Sequence, residues 1–269
     1  MHLAALKHIG RKGDYRLIDV TEDKLDEQLA SMHRQGYTGF NVTIPHKRAI
    51  YARCIGKSEE ALQVSAVNTV KIHPDGKMVG HNTDLPAFKQ TVSDKLGNRK
   101  RDSAIILGAG GAARAAVVGL CELGFSEITI LVRNPESYDI SEFYLQNRLI
   151  PHDTFKILKV DQFFETQPVA SNLIVNSTPL GQSGGLLPPW VDYLFRASKK
   201  DTFFYDMVYA RSENITPLMQ LALSHELEST DGTAMLVGQA ALAFEYWTGK
   251  SVPPDVMLTA LKAQLAASK

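Results

Sequence analysis

The sequence predicts an α/β fold in two domains, one of them a doubly wound parallel sheet, on three observations. At 269 residues the chain exceeds what one hydrophobic core usually supports. Apolar runs of strand length alternate with segments whose apolar residues recur every three or four positions, the pattern of a sheet covered by helices. Near the middle, Ala104-Ile105-Ile106-Leu107 meets Gly108-Ala109-Gly110-Gly111-Ala112-Ala113 and passes into a helical segment ending near Leu123.

The first ten residues read as a short helix with Leu3, Leu6 and Ile9 on one face, and Asp14 to Val20 as a strand. Thr21 suits the cap of a helix carrying Leu25, Leu29 and Met32, which Gly36 ends. Gly39 to Thr43 is a further strand, and Pro45 fits the first turn of the next helix. This β-α-β-α order implies a parallel sheet. His46, Lys47 and Arg48 then break a local rule, because positive charge in a first helical turn costs about 0.3–1 kcal/mol each. Ligands of open α/β sheets bind beyond strand ends, so Lys47, near Asn41 and Thr43, suits hydrogen bonding and proton transfer to an oxygen-rich substrate. An exposed surface lysine is the plain alternative.

Ser58 to Val64 reads as a helix. Val67 to Ile72 and Lys77 to Gly80 flank His73-Pro74-Asp75-Gly76 as a hairpin. Gly80-His81-Asn82-Thr83-Asp84 leads into a helix from Leu85 to Leu96, where Asp84 serves equally as a helix-start acid or a catalytic carboxylate. The polar, basic stretch Gly97 to Arg101 reads as the linker between domains.

In the glycine-rich turn, Gly108 permits the tight bend and Gly110 lets backbone approach a pyrophosphate. Ala113 takes the small third position, where helix and strand pack closely. Glu127 to Arg133 supplies the second strand of a dinucleotide-binding βαβ unit. An NAD site usually ends that strand with an acid for the ribose hydroxyls. Here Arg133-Asn134-Pro135 stands instead, and an arginine suits the 2′-phosphate of NADP. A solvated arginine at a strand end is the alternative.

Pro135 to Phe155 carries no clear pattern. Lys156 to Val160 and Asn172 to Asn176 read as strands, the second running into the loop Ser177-Thr178-Pro179-Leu180-Gly181. Gly181-Gln182-Ser183-Gly184-Gly185 matches the hydrolase string G-x-S-x-G, with Asp206 and His225 following. Thr178-Pro179 before it and Pro188-Pro189 after it deny it the strand, turn and helix of a nucleophile elbow. Thr202 to Tyr209 is another strand, bringing Met207 and Tyr209 to its end, and Pro217 to His225 a helix. Asp231-Gly232-Thr233 opens a long helix through Trp247. Gln239 shares its apolar side with Met235, Leu236 and Ala243, satisfied either in the core or by a polar ligand. Gly249 stops that helix, and Pro253-Pro254 starts the last one.

With 29 basic and 29 acidic residues, the chain offers no charge imbalance toward nucleic acid or membrane. Cys54 and Cys121 lie in no metal-ligand spacing, so no metal is expected, and they fit a reducing compartment. With no apolar run of membrane-spanning length and no leader pattern, the expectation is a soluble cytoplasmic protein. Monomer and homodimer fit the sequence equally.

Taken in order, several motifs closely resemble the shikimate dehydrogenase family. They are Asn41-Val42-Thr43-Ile44-Pro45-His46-Lys47, Ala66-Val67-Asn68-Thr69, Gly80-His81-Asn82-Thr83-Asp84 and Gly108 to Ala113. Asn176 to Gly181, Tyr205-Asp206-Met207-Val208-Tyr209, Asp231-Gly232 and Met235 to Gln239 through Trp247-Thr248-Gly249 complete the set. The resemblance implies a substrate domain at 1–100, a Rossmann-like NADP-binding domain at 101–231, and C-terminal helices at 232–269 that return to the first domain. It implies reversible hydride transfer between NADPH and 3-dehydroshikimate, giving shikimate on the way to chorismate and the aromatic amino acids. By resemblance, Lys47 and Asp84 form the catalytic pair, and Thr43, Asn68, Asp84, Tyr209 and Gln239 hold substrate oxygens. Gly108, Ala109, Gly110, Gly111 and Ala112, with Arg133, hold pyrophosphate and 2′-phosphate. Met207, Gly232 and Glu59 are placed near the nicotinamide.

Two departures stand out. Family members usually open with a strand and a Ser-x-Ser-Pro-x-Met-His-Asn motif whose serines hold the substrate carboxylate, whereas this sequence opens with Met1-His2-Leu3, as if inside that motif. Val132 stands where Asn commonly precedes the arginine. A quinate-using relative with NAD or NADP, and a non-catalytic binding or regulatory relative, are the competing expectations.

Overall fold

The computed structural model describes residues 1–138, 154–166, 169–182, 186–210 and 215–267. Packing divides the chain into two compact units, Met1–Asp84 with Val237–Lys269, and Leu85–Leu236.

The first unit contains α1 (His2–His8), α2 (Leu25–Arg34), α3 (Lys47–Arg53) and α4 (Glu59–Val64). Its sheet is formed by β1 (Gly39–Asn41), β2 (Gly56–Lys57), β3 (Thr69–Ile72) and β4 (Met78–His81), in the order β1-β3-β4-β2. The sheet is mixed and not parallel as expected: β1 runs antiparallel to β3, β3 to β4, and only β2 is parallel to β4. The β3–β4 hairpin sets these directions. Asp14 to Val20, expected as a strand, is irregular, and β1 is left as the sheet edge. The apolar residues of that segment lie outside the core, Leu17 being 96% and Ile18 39% exposed. A side-chain bond from the Tyr15 hydroxyl to Asn41 Oδ1, 2.8 Å, joins the segment to β1 in place of a backbone ladder.

Two helix starts also differ from expectation. Thr21 precedes a single 3-10 turn, Glu22–Lys24, without a side-chain cap bond. Pro45 follows a cis bond from Ile44 in a turn, and α3 begins at Lys47 with His46 as its cap residue. Leu25, Val42, Ile50, Cys54, Ala61, Val67 and Val70 form this unit's core.

The second unit continues with α5 (Asp84–Leu96), β5 (Ser103–Leu107), α6 (Gly111–Glu122), β6 (Glu127–Val132) and β7 (Phe155–Lys159). Then come α7 (Val160–Thr166), β8 (Leu173–Asn176), α8 (Pro189–Ala197), β9 (Phe203–Asp206), α9 (Pro217–Ser224) and β10 (Glu228–Thr230). All six strands are parallel, in the order β10-β9-β8-β5-β6-β7. Every residue of β8 and β9 is buried, as strands covered on both faces require. On one face Ile105, Leu107, Ile174 and Phe204 pack with Phe163, Leu194 and Leu218 of the helices. On the other, Phe88 of α5 packs against Tyr205 at 5.8 Å between ring centroids. The strand order reverses between β5 and β8, which makes their carboxyl ends the switch point where such sheets bind ligands.

The chain ends in α10 (Thr233–Thr248) and α11 (Pro254–Ala267), with Gly249 between them at φ +65°. Trp247 Nε1 donates to the Val70 carbonyl at 2.8 Å, fixing α10 to β3. Among the described residues no helix is long and apolar enough to cross a membrane.

Candidate active site

Lys47 is the first residue of α3, and its carbonyl accepts from the Val67 N–H at 3.1 Å. Its Nζ donates to Asp84 Oδ2 at 2.7 Å, with the two side chains 16% and 10% exposed. The carboxylate offsets the charge that the start of α3 disfavours. It takes one of the three ammonium hydrogens, and the others have no protein partner among the described residues, so they are available to a ligand oxygen.

Asp84 opens α5, directly after β4 and the buried pair Asn82 and Thr83. Asp84 Oδ1 accepts from Asn68 Nδ2 at 2.8 Å. The other end of that amide, Asn68 Oδ1, accepts from the Thr83 N–H at 2.8 Å and the Thr69 hydroxyl at 3.0 Å. Asn82 Nδ2 donates to the Ala66 carbonyl at 2.9 Å. Asn41 Nδ2 donates to the Thr69 hydroxyl at 3.1 Å, which extends the network to β1. Buried polar groups persist only when partnered, so this network holds the lysine and carboxylate in one geometry.

The structure thus brings Lys47, Asp84 and Asn68 into direct contact. Thr43 stands exposed just past β1, its hydroxyl donating to the Ile44 carbonyl at 3.3 Å. Gln239 is half-buried on α10, and Tyr209 is half-buried just past β9 in the second unit. Glu59 is an exposed acid at the first position of α4, where the helix dipole favours it.

In the second unit, Gly108 has φ +91°, and a Cβ there would lie 2.5 Å from Thr178 Cγ2 across the switch point. Gly110 caps α6 without a side-chain bond, and a Cβ on it would meet nothing within 4 Å. The backbone N–H groups of Gly111, Ala112 and Ala113 have no partner among the described residues. Open space in front of unsatisfied helix-start donors fits a pyrophosphate. Arg133, one residue past β6, is exposed and has no partner among the described residues, so its guanidinium is available to a phosphate.

Along the same carboxyl edge, the Ser177 hydroxyl donates to the Leu107 carbonyl at 2.7 Å, and the Met207 N–H to the Asn176 carbonyl at 3.0 Å. A Cβ on Gly232 would fall 2.2 Å from the Met207 carbonyl oxygen, so only glycine allows this loop approach. Met207 and Gly232 are therefore packed together.

A buried cluster lies beneath this edge. Asp206, fully buried, accepts from Asn176 Nδ2 at 2.9 Å, the Val208 N–H at 3.1 Å and the Thr216 hydroxyl at 2.6 Å. Burial pushes its carboxyl up to about 6, against the opposing effect of these hydrogen bonds. The cluster ties the loops after β8 and β9 to α9. Ser183, Gly184 and Gly185 of the G-x-S-x-G string lie outside the described residues. The other members of that hydrolase pattern have different partners, Asp206 as above and His225 Nε2 with Asp192 Oδ1 at 2.8 Å.

A parallel sheet with a glycine turn and an open helix start at its switch point, joined to an α/β unit bearing a sheltered lysine–carboxylate pair, is the architecture of two-domain nicotinamide-dependent oxidoreductases. Residues 1–70 match the shikimate dehydrogenase substrate binding domain, and residues 232–262 the shikimate 5′-dehydrogenase C-terminal domain. Shikimate dehydrogenase (NADP(+)) of Synechococcus sp. (strain JA-3-3Ab) is 36% identical over 99% of this chain and 89% of its own length. That of Symbiobacterium thermophilum is 34% identical over 98% and 89%. The chain belongs to the shikimate dehydrogenase family.

Among solved structures, a shikimate dehydrogenase in complex with NADP+ aligns at a TM-score of 0.83 with 29% identity, covering 98% of this chain and 89% of that one. Quinate dehydrogenase from Corynebacterium glutamicum in complex with NAD aligns at 0.83 with 28% identity, covering 97% and 92%. Shikimate 5-dehydrogenase from Thermus thermophilus in complex with shikimate aligns at 0.78 with 29% identity, covering 98% and 92%.

Proposed function

We propose that this chain catalyses the reversible NADP-linked reduction of 3-dehydroshikimate to shikimate. The reading is carried by the sheltered Lys47–Asp84 pair at 2.7 Å, with Asn68 occupying the second carboxylate oxygen. The relatives named above as shikimate dehydrogenase (NADP(+)) supply the substrate and cofactor class.

Bound NADPH supplies the hydride. As the 3-keto carbon is reduced, negative charge grows on its oxygen, and the Lys47 ammonium aimed at that atom stabilises the charge and delivers the proton. In the reverse direction the same amine recovers the proton. Asp84 fixes the ammonium and accepts a hydrogen bond from a neighbouring substrate hydroxyl. Thr43 and Gln239 are further oxygen-binding groups of the first unit, whereas Asn68, expected among them, gives both amide hydrogens to Asp84 and the Thr83 hydroxyl and so serves by holding the pair. In the second unit, the Gly108–Ala112 turn would hold the pyrophosphate and Arg133 the 2′-phosphate, and Met207 with Gly232 would hold the nicotinamide end.

A quinate dehydrogenase using NAD is the second reading, because the NAD-bound Corynebacterium glutamicum enzyme aligns as well as the NADP+-bound one, each at a TM-score of 0.83. Following the absorbance of the reduced nicotinamide with shikimate or quinate, each offered with NADP or NAD, separates them. Fastest turnover of shikimate with NADP is expected. Preference for quinate with NAD selects the second reading, and a flat trace in all four mixtures contradicts both.

A further inference from the structure

His81 is the last residue of β4, three positions before Asp84, and its Nδ1 has three neighbours. The Ser58 hydroxyl lies at 2.7 Å, the Asn82 backbone N–H at 2.8 Å and Glu60 Oε2 at 3.5 Å. The Asn82 N–H can only donate. Ser58 caps α4 by accepting from the Ala61 N–H at 3.2 Å, which leaves its hydroxyl hydrogen for Nδ1. The Asn82 contact requires a lone pair on Nδ1, and the Ser58 hydroxyl can serve it as a second donor, so the ring is neutral with its proton on Nε2. Glu60 can only accept, and has no use for that lone pair. It is the partner of the other protonation state.

We propose that His81 is a positioning residue for the Lys47–Asp84 pair: its neutral ring anchors the Asn82 backbone, and a proton taken up at Nδ1 turns the ring from Asn82 to Glu60 and loosens the turn that carries Asp84. The proposal rests on the catalytic reading given above. Protonation sets two donors, Nδ1–H and the Asn82 N–H, against each other at 2.8 Å.

The disturbance has a direct route to the pair. Asn82 and Thr83 are 1% and 0% exposed, so their backbone cannot turn to water for a partner. The Thr83 N–H is bonded to Asn68 Oδ1, and Asn68 Nδ2 to Asp84 Oδ1. The His81 carbonyl itself accepts from the Asn68 N–H at 3.1 Å. His81 therefore bonds the backbone of Asn68 and that of Asn82, the residue before Thr83.

The ring's surroundings keep it neutral near pH 7. Burial pushes His81 below the ordinary histidine value, outweighing the opposing attraction of Glu60. Other titratable and charged groups face it from the neighbouring elements. Tyr246 packs edge-on at 5.2 Å between centroids with its phenol raised by burial, and Lys71 lies 6.0 Å from the Tyr246 ring. The Cys54 thiol, beside Gly80, is pushed up to about 11.

The test measures kcat for shikimate oxidation and the Asn82 and Asp84 amide resonances between about pH 5 and pH 8, in wild type, His81→Asn and Glu60→Gln. The amide introduced by His81→Asn places near the Nδ1 position an acceptor that takes up no proton. In wild type, kcat and both amides are expected to move together with the His81 ring on the acid side. In His81→Asn the acid-side fall shrinks at least about threefold, and in Glu60→Gln it moves to lower pH. An Asn82 amide indifferent to His81 titration, or an acid limb unchanged in both variants, overturns the proposal. The amide titrations need no turnover, so they decide the positioning role even if the substrate assignment fails, and Glu60→Gln decides it if His81→Asn does not fold.

Discussion

The Asn68 side chain bridges the turn before α5: its nitrogen donates to Asp84 Oδ1 at 2.8 Å while its oxygen accepts from the Thr83 N–H at 2.8 Å. One amide thus fixes both the carboxylate that holds Lys47 and the backbone that presents it. Removing it in Asn68→Ala strands a buried N–H and leaves Asp84 Oδ1 without its donor. The variant is expected to lose about 1–3 kcal/mol of stability, read by urea unfolding, together with a clear fall in kcat. Wild-type values of both would contradict the bridge.

Arg133 is assigned to the 2′-phosphate. A charge-assisted contact of this kind contributes about 1.5–3 kcal/mol, so Arg133→Ala is expected to raise the KM for NADPH roughly ten- to hundredfold. The KM for NADH should hardly change. Equal losses for the two cofactors would place Arg133 elsewhere.

Gly232 is excluded from bearing a side chain by the Met207 carbonyl, 2.2 Å from where a Cβ would lie. Because the obstacle is backbone, Gly232→Ala must shift a loop, at a cost of about 1–3 kcal/mol. Calorimetry should show the lower Tm, and NADPH should bind more weakly than to wild type. Unchanged stability and NADPH affinity would show that the two loops do not support each other.

Asp206 gives the stability a pH dependence of unusual sign. Its carboxyl is raised from 3.8 to about 6 on folding, so the folded state holds the proton more tightly than the unfolded chain does. The stabilisation is full below the unfolded value and is lost as pH rises through the folded one. Its size is on the order of 3 kcal/mol. Asp206→Asn lacks this proton, so wild type should lose about that much stability relative to the variant between roughly pH 4 and pH 7. Urea titrations at the two ends read it, and a constant difference would argue that Asp206 is not desolvated.

The parallel sheet was legible because buried strands are near-continuous apolar runs, as at Leu173–Asn176, and the glycine turn announced itself by spacing. The strand β10 was not, since Glu228-Ser229-Thr230 contains no apolar residue. The first sheet misled because Asp14 to Val20 has strand composition but makes no backbone ladder with the edge strand β1 and leaves Leu17 and Ile18 outside the core, and strand propensity depends on such packing. Lys47 was visible through the dipole rule it breaks, and Asp84 only through resemblance, since a helix-start acid is common. The roles of Asn176, Asp206 and Thr216 were invisible, because their signal is a three-dimensional convergence of residues far apart in sequence.

The central claim is that the Lys47 ammonium, held by Asp84, acts on the oxygen that changes oxidation state. Steady-state oxidation of shikimate with NADP by wild type and Lys47→Ala tests it most directly. A fall in kcat of about 10²–10⁴ with a much smaller change in KM is predicted; turnover by Lys47→Ala at the wild-type rate would contradict it.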